Sequence, residues 1–173
     1  MYDDQLFGVG TDGPEGSIIR MAMYPIEEAD DWPAVRQYLD MLDQYTEDGA
    51  SSPLGMASMS AWAAFADAAN SCAEQDDGVL TRTCILEQVD EHDDWTGGGL
   101  HAPSESLSQS EIGKIDQERP FCTLLLQVRD GKFVRYFPEV GSDGDDLDGF
   151  HCSTDTMVEV PGREDVGVVD PDR

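Results

Sequence analysis

Two runs of strand-forming residues, Phe121 to Val128 and Phe133 to Phe137, flank the tetrapeptide Arg129-Asp130-Gly131-Lys132. Asp-Gly is a favoured centre for a tight two-residue turn, so this stretch is expected to form an antiparallel hairpin. Upstream the pattern is helical. Trp32, Val35, Tyr38, Leu39, Leu42 and Tyr45 recur at threes and fours behind Pro33, a residue suited to a first helical position. They predict a helix with one buried face, ended by Gly49. Pro53 opens a second helix, and from Leu54 to Ala73 the run is small and apolar on nearly every side, which predicts a helix buried all round. A third helix starts after Leu80 with Thr81 as its cap and with Cys84, Ile85 and Val89 facing inward. Ser17 to Met23 reads as a further strand behind the loop TDGPEG, and Asp3 to Gly10 as the end of a helix. The expected fold class is therefore α/β, three helices plus a β-hairpin.

The remaining segments carry less pattern. Trp95 to Leu100 is a turn-rich loop, residues 102 to 118 are polar without a period, and residues 138 to 153 form an acidic, glycine-rich loop. The stretch from Thr154 to Arg173 is acidic and reads as a disordered tail.

Charge excludes one class of partner. The chain carries 37 acidic against 10 basic residues, a formal net charge of −27, and its only lysines are Lys114 and Lys132. A nucleic-acid backbone would be repelled, with no basic patch to release its counterions. Acidity of this kind reads first as a solvated surface. The densest cluster, Asp143-Gly144-Asp145-Asp146-Leu147-Asp148-Gly149, fails as a calcium loop. Leu147 falls where a third oxygen ligand belongs, and Asp148 falls where the sharp-turn glycine belongs. No metal site and no cofactor is expected.

Cys72, Cys84, Cys122 and Cys152 form no C-x-x-C pair, which removes the spacing of structural zinc and of thioredoxin-like chemistry. His92 and His101 read as surface residues, and His151 stands beside Cys152. An even cysteine count points instead to two disulfides and an oxidising compartment. Four cysteines allow three connectivities. Pairing Cys72 with Cys84 and Cys122 with Cys152 is the expectation, because each pair brackets a loop between ordered elements. No apolar run approaches the roughly 20 residues a membrane span needs. Met1 to Leu6 lacks the features of a secretory signal, which conflicts with disulfides; either the cysteines are free and the protein is cytoplasmic, or, as is expected here, the chain is the later part of a longer protein.

Five stretches in order carry a resemblance: GSIIRMAMYP, WPAVRQYLDMLDQY, PLGMASMSAWAAFADAA, GVLTRTCILEQV leading to WTGGGLH, and FCTLLLQVRDGKFVRYFP. Together they cover most of residues 5 to 138. The order resembles the C-terminal part of the type I periplasmic binding proteins, in particular the extracellular receptors related to branched-chain amino-acid binding proteins of ABC importers. That resemblance implies two lobes joined by a hinge that the chain crosses three times, with a small-molecule ligand closed between them. Residues 1–27 would end the second lobe and cross the hinge, and 28–98 would form the helical part of the first lobe. Residues 99–153 would return across the hinge to a hairpin on the second lobe, and 154–173 would be the acidic tail. Tyr24 at the hinge and Leu54, Gly55 and Met56 at the start of the second helix would line the cleft. The implied role is the solute-binding component of an importer, for amino acids or another small polar molecule. It would be extracellular or periplasmic, tethered to the membrane in the complete protein, and partnered by a membrane permease.

Two other classes compete. A ligand-sensing domain of a receptor or regulator shares the same fold. An enzyme would need a signature, and no G-x-S-x-G elbow, H-E-x-x-H helix or Walker loop is present. The cluster Glu91-His92-Asp93 consists of consecutive loop residues, which rarely converge on one substrate, so catalysis is not expected.

Overall fold

The computed structural model describes residues 14–47, 49–75, 78–104 and 120–154. The helix end expected at 3–10, much of the polar stretch and nearly all of the acidic tail lie outside the described residues. Those described form a mixed α/β structure with three α-helices and an antiparallel sheet of four strands. The hairpin consists of β2 (Phe121–Arg129) and β3 (Lys132–Phe137). Its turn residues Asp130 and Gly131 have φ of 51° and 71°, the left-handed pair that a twist-matched two-residue turn requires. Strand β1 (Ile18–Met21) lies antiparallel on the other side of β2, from Ile18 opposite Gln127 to Met21 opposite Leu124. Strand β4 (His151–Ser153) pairs with the first residues of β2, Phe121 to Thr123. Alternation along β2 sends Leu124, Leu126 and Val128 to one face, where all three are fully buried. Each such side chain stabilises the fold by about 1.5 to 3 kcal/mol.

Helix α1 (Pro33–Tyr45) starts with proline where its missing N–H costs nothing, and lays Val35 and Tyr38 into that face of the sheet. Leu39 and Leu42 pack against the same core. Tyr45, expected on the buried stripe, is 72% exposed. The stripe ends one turn earlier, at Leu42, and the last turn extends past the core.

Helix α2 (Pro53–Gln75) corrects the expectation of burial on every side. Its buried residues are Met56, Ser60, Ala64, Ala68 and Cys72, one in four, while Leu54 is 77% and Trp62 70% exposed. Alanine and serine are short enough to suit either a packed or a solvated face, so their abundance does not report which faces are covered. A four-residue repeat advances about 40° per step on a helix of 3.6 residues per turn. The buried stripe therefore winds round α2, from Met56 in the sheet core to Cys72 against α3 (Arg82–Asp90). Thr81 caps α3 as expected, its hydroxyl accepting from the Cys84 N–H. Cys84, Ile85 and Val89 are half-buried.

Met21, Tyr24, Val35, Tyr38, Met56, Leu100, Leu124, Leu126, Val128, Phe133 and Phe150 belong to one core cluster. Residues that the resemblance distributes over two lobes thus share a core in this structure. Two disulfides close it, Cys72 to Cys84 between α2 and α3 and Cys122 to Cys152 between facing positions of β2 and β4. With 12 and 30 residues of separation, each contributes about 3 kcal/mol by restricting the unfolded chain. Among the described residues no helix is long and apolar enough to cross a membrane.

Candidate functional site

The chain leaves the sheet through Ala22 to Tyr24 and comes back past the same place at Leu100 to Ala102. The two segments are hydrogen-bonded side by side. Tyr24 N–H donates to the Leu100 carbonyl at 3.1 Å, Ala102 N–H donates to the Ala22 carbonyl at 2.8 Å, and Met23 and His101 are antiparallel bridge partners. The return is aimed by Thr96 to His101. Gly97, Gly98 and Gly99 have φ of 66°, 73° and 101°, a coil that side-chain-bearing residues resist. It turns the N–H groups of Gly99, Leu100 and His101 onto the Thr96 carbonyl.

At Gly97 the coil also needs space. A Cβ there would lie 2.6 Å from Ser60 Oγ and 2.9 Å from His101 Nε2. These two atoms are themselves 2.8 Å apart, and Trp95 Nε1–H donates to Ser60 Oγ at 2.9 Å. The proton positions follow from the partners. His101 Nδ1 is 2.7 Å from the Ala102 carbonyl, which can only accept, so Nδ1 carries the hydrogen. In the neutral ring Nε2 then has a lone pair, which takes the Ser60 O–H. Serine and histidine here have the spacing of a nucleophile and its base. Trp95, however, draws on the oxygen that would attack, and it is a backbone carbonyl that orients the imidazole. The cluster acts as a fixed polar post in an apolar wall. Sequence reading placed His101 at the surface and passed over Ser60 and Trp95; the glycine triplet beside His101 was the available signal of a close approach.

The wall belongs to a cavity of about 520 Å³. Ala57, Ala61, Ala64 and Phe65 of α2 line it, with Val89 of α3 and Phe121 of β2. No Asp, Glu, Lys or Arg is among its described lining residues.

Of the residues expected to line a ligand cleft, Tyr24 is buried, stacked on Trp32 at 3.9 Å between ring centroids and donating its hydroxyl to the Asp148 carbonyl at 2.9 Å. Burial, reinforced by the Asp148 carboxylate, pushes the Tyr24 hydroxyl up to about 12. Met56 is fully buried in the core, whereas Leu54 on the same helical turn points to solvent. Gly55 sits under the Tyr38 ring, where a Cβ would meet the phenol oxygen at 2.2 Å. Tyr38 in turn donates to the Ser52 carbonyl and accepts from its N–H. The structure does not bring Leu54 and Met56 to one surface.

Beneath Tyr24 lies an ion pair that sequence reading did not find. Arg135 Nε and Nη2 donate to the two oxygens of Glu28 at 2.8 and 2.6 Å, and Nη1 donates to the Gly149 carbonyl at 2.6 Å. Glu28 also accepts from Trp32 Nε1–H at 3.0 Å. In the acidic loop, Asp145 accepts from the N–H groups of Gly141 and Gly149, and Asp146 accepts from Cys152 N–H and stands 2.7 Å from His151 Nδ1. These carboxylates organise the loop's own backbone. Among the described residues no group of three or more His, Cys, Asp or Glu side chains is arranged to hold a metal ion. No family profile matches this chain, and neither a curated protein nor a solved structure matches it.

Proposed function

We propose that this chain is the C-terminal part of a two-lobed solute-binding protein of the type I periplasmic kind, delivering a small molecule to the membrane permease of an ABC importer and performing no catalysis itself. One observation carries the reading. Segments 22–24 and 100–102, where the chain passes between sheet and helices, are hydrogen-bonded to each other. They fall where the resemblance puts two hinge crossings, and crossing segments that lie side by side are what a hinge between two lobes needs. Two disulfides fit an extracellular or periplasmic setting.

In this reading a ligand is held by both walls of a cleft, and one wall is supplied by sequence outside these 173 residues. The test is calorimetry with leucine, isoleucine, valine and a set of polar amino acids, on this chain and on the complete protein its coding sequence specifies. No specific heat is expected from the chain alone and micromolar binding from the complete protein. Micromolar binding of an amino acid by the chain alone, or no binding by either, overturns the reading.

A further inference from the structure

We infer that the cavity beside Ser60 is a binding site for a small uncharged aromatic or aliphatic molecule that carries one hydrogen-bond donor. This goes beyond the solute-binding reading and does not depend on it, since free amino acids carry charges for which the described lining has no oppositely charged side chain. Volume comes first. At about 520 Å³ the space is within the range of small-molecule sites and exceeds what one aromatic ring fills. Chemistry of the wall comes second. The described lining is alanine, methionine, valine, phenylalanine, tryptophan, proline and a disulfide-bonded cysteine, with Ser60, Ser104 and His101 as its polar side chains and no Asp, Glu, Lys or Arg, so a charged ligand would lose its water without gaining a carboxylate, ammonium or guanidinium partner. The net charge of −27 adds a further penalty for anions.

The donor requirement follows from the valences of Ser60. Its hydrogen goes to His101 Nε2 and one lone pair accepts from Trp95. Among the described residues no group claims the second lone pair, on a residue only 5% exposed that lines the cavity. Trp95 and His101 fix the oxygen from two sides, so it is held ready rather than free to rotate. A ligand N–H or O–H reaching that lone pair would be oriented by it, whereas an acceptor would find both neighbouring hydrogens already committed.

Three probes separate the parts of this inference: indole, which has the donor; 1-methylindole, which has the shape without it; and indole-2-carboxylate, which adds a charge. Titrations use the 173-residue chain with both disulfides intact, followed by calorimetry and by the indole N–H resonance of Trp95. Indole is expected to bind and to shift that resonance. 1-Methylindole should bind about three- to tenfold more weakly, the worth of one hydrogen bond, and indole-2-carboxylate should not bind detectably. Ser60→Ala should reduce indole to the level of 1-methylindole. Because that change also removes a partner of Trp95 and His101, a second variant is needed. Ala61 is on the exposed side of α2 at the cavity mouth, and Ala61→Phe should abolish indole binding while leaving the thermal transition in place. Absence of indole binding at millimolar concentration, equal affinity for all three probes, or retained binding in Ala61→Phe would each overturn the inference.

Discussion

Removing the Arg135 side chain should be among the most damaging single changes outside the apolar core. The guanidinium makes two bonds to Glu28, one to the Gly149 carbonyl and a longer one to the Pro138 carbonyl, and the two side chains are only 12% and 20% exposed. Arg135→Met leaves the Glu28 carboxylate with the single N–H of Trp32 and leaves Gly149 without that donor. Breaking a fully buried pair costs about 3 to 5 kcal/mol. Partial exposure of Glu28 lets water relieve some of this, so about 2 to 4 kcal/mol is expected. Glu28→Gln keeps an acceptor for Trp32 and loses one charge-assisted bond, for about 1 to 2 kcal/mol. The double variant removes the uncompensated charge along with its partner, so its cost should fall short of the sum by about 1 to 3 kcal/mol. Urea unfolding of the four proteins, with disulfides intact and monitored by circular dichroism and tryptophan fluorescence, measures that coupling. Repeating the cycle in half-molar salt should leave it nearly unchanged, since a pair so little exposed is weakly screened. A coupling below about 0.5 kcal/mol would refute the view that this pair fastens the 138–150 loop to α1's entry.

Tyr24 makes a prediction in alkali. Its folded value of about 12 lies above the ordinary 10, so the unfolded chain ionises first; the stabilisation is full below pH 10 and is lost as pH rises toward 12, a decline that Tyr24→Phe should flatten in urea midpoints. Asp145 acts at the other end: the Gly141 N–H first, then those of Gly149 and Leu147 and the Arg135 charge, outweigh partial burial and hold its carboxyl below the usual range. Its contribution is present above the ordinary carboxylate range and is lost as pH falls through the folded value, so Asp145→Asn should reduce the acid sensitivity of loop proteolysis. Gly97→Ala should cost at least about 2 kcal/mol, combining a left-handed backbone with the contact at Ser60, whereas Gly98→Ala meets open space and should cost about 1; equal costs in thermal melts would contradict the close approach. With 37 acids against 10 bases, the melting temperature should rise from low salt to half-molar salt, and an unchanged value would count against self-repulsion as a destabilising force.

What could be read from sequence was what local chemistry decides. Asp130-Gly131 and Pro33 impose backbone conformations on themselves and their neighbours, so the hairpin and the start of α1 were visible. Thr81 was legible as a cap for the same reason. Helix α2 misled because alanine is indifferent to solvent, and the real buried stripe shows only as Met56, Ser60 and Cys72 spaced by multiples of four. The polar cluster joins residues 35 and 41 positions apart, and Arg135 reaches Glu28 across 107. Its other partners are backbone carbonyls, which every residue has, so no residue type advertises them. His101 looked like a loop histidine because the glycine triplet beside it signals a close approach without naming Ser60 as the partner.

The bond between Cys122 and Cys152 changes how the chain transmits force. Tension applied along the backbone would pass from Cys122 to Cys152 through the sulfurs, and the hairpin and the acidic loop between them would hang as a slack ring. The 30-residue separation withholds roughly 100 Å of extensible chain. Those residues could lose their native contacts without lengthening the molecule, and a protease cut within the ring would leave both pieces joined. Gain in length under load would instead have to come from chain outside that ring, including β1 peeling from β2 and α1 leaving the sheet.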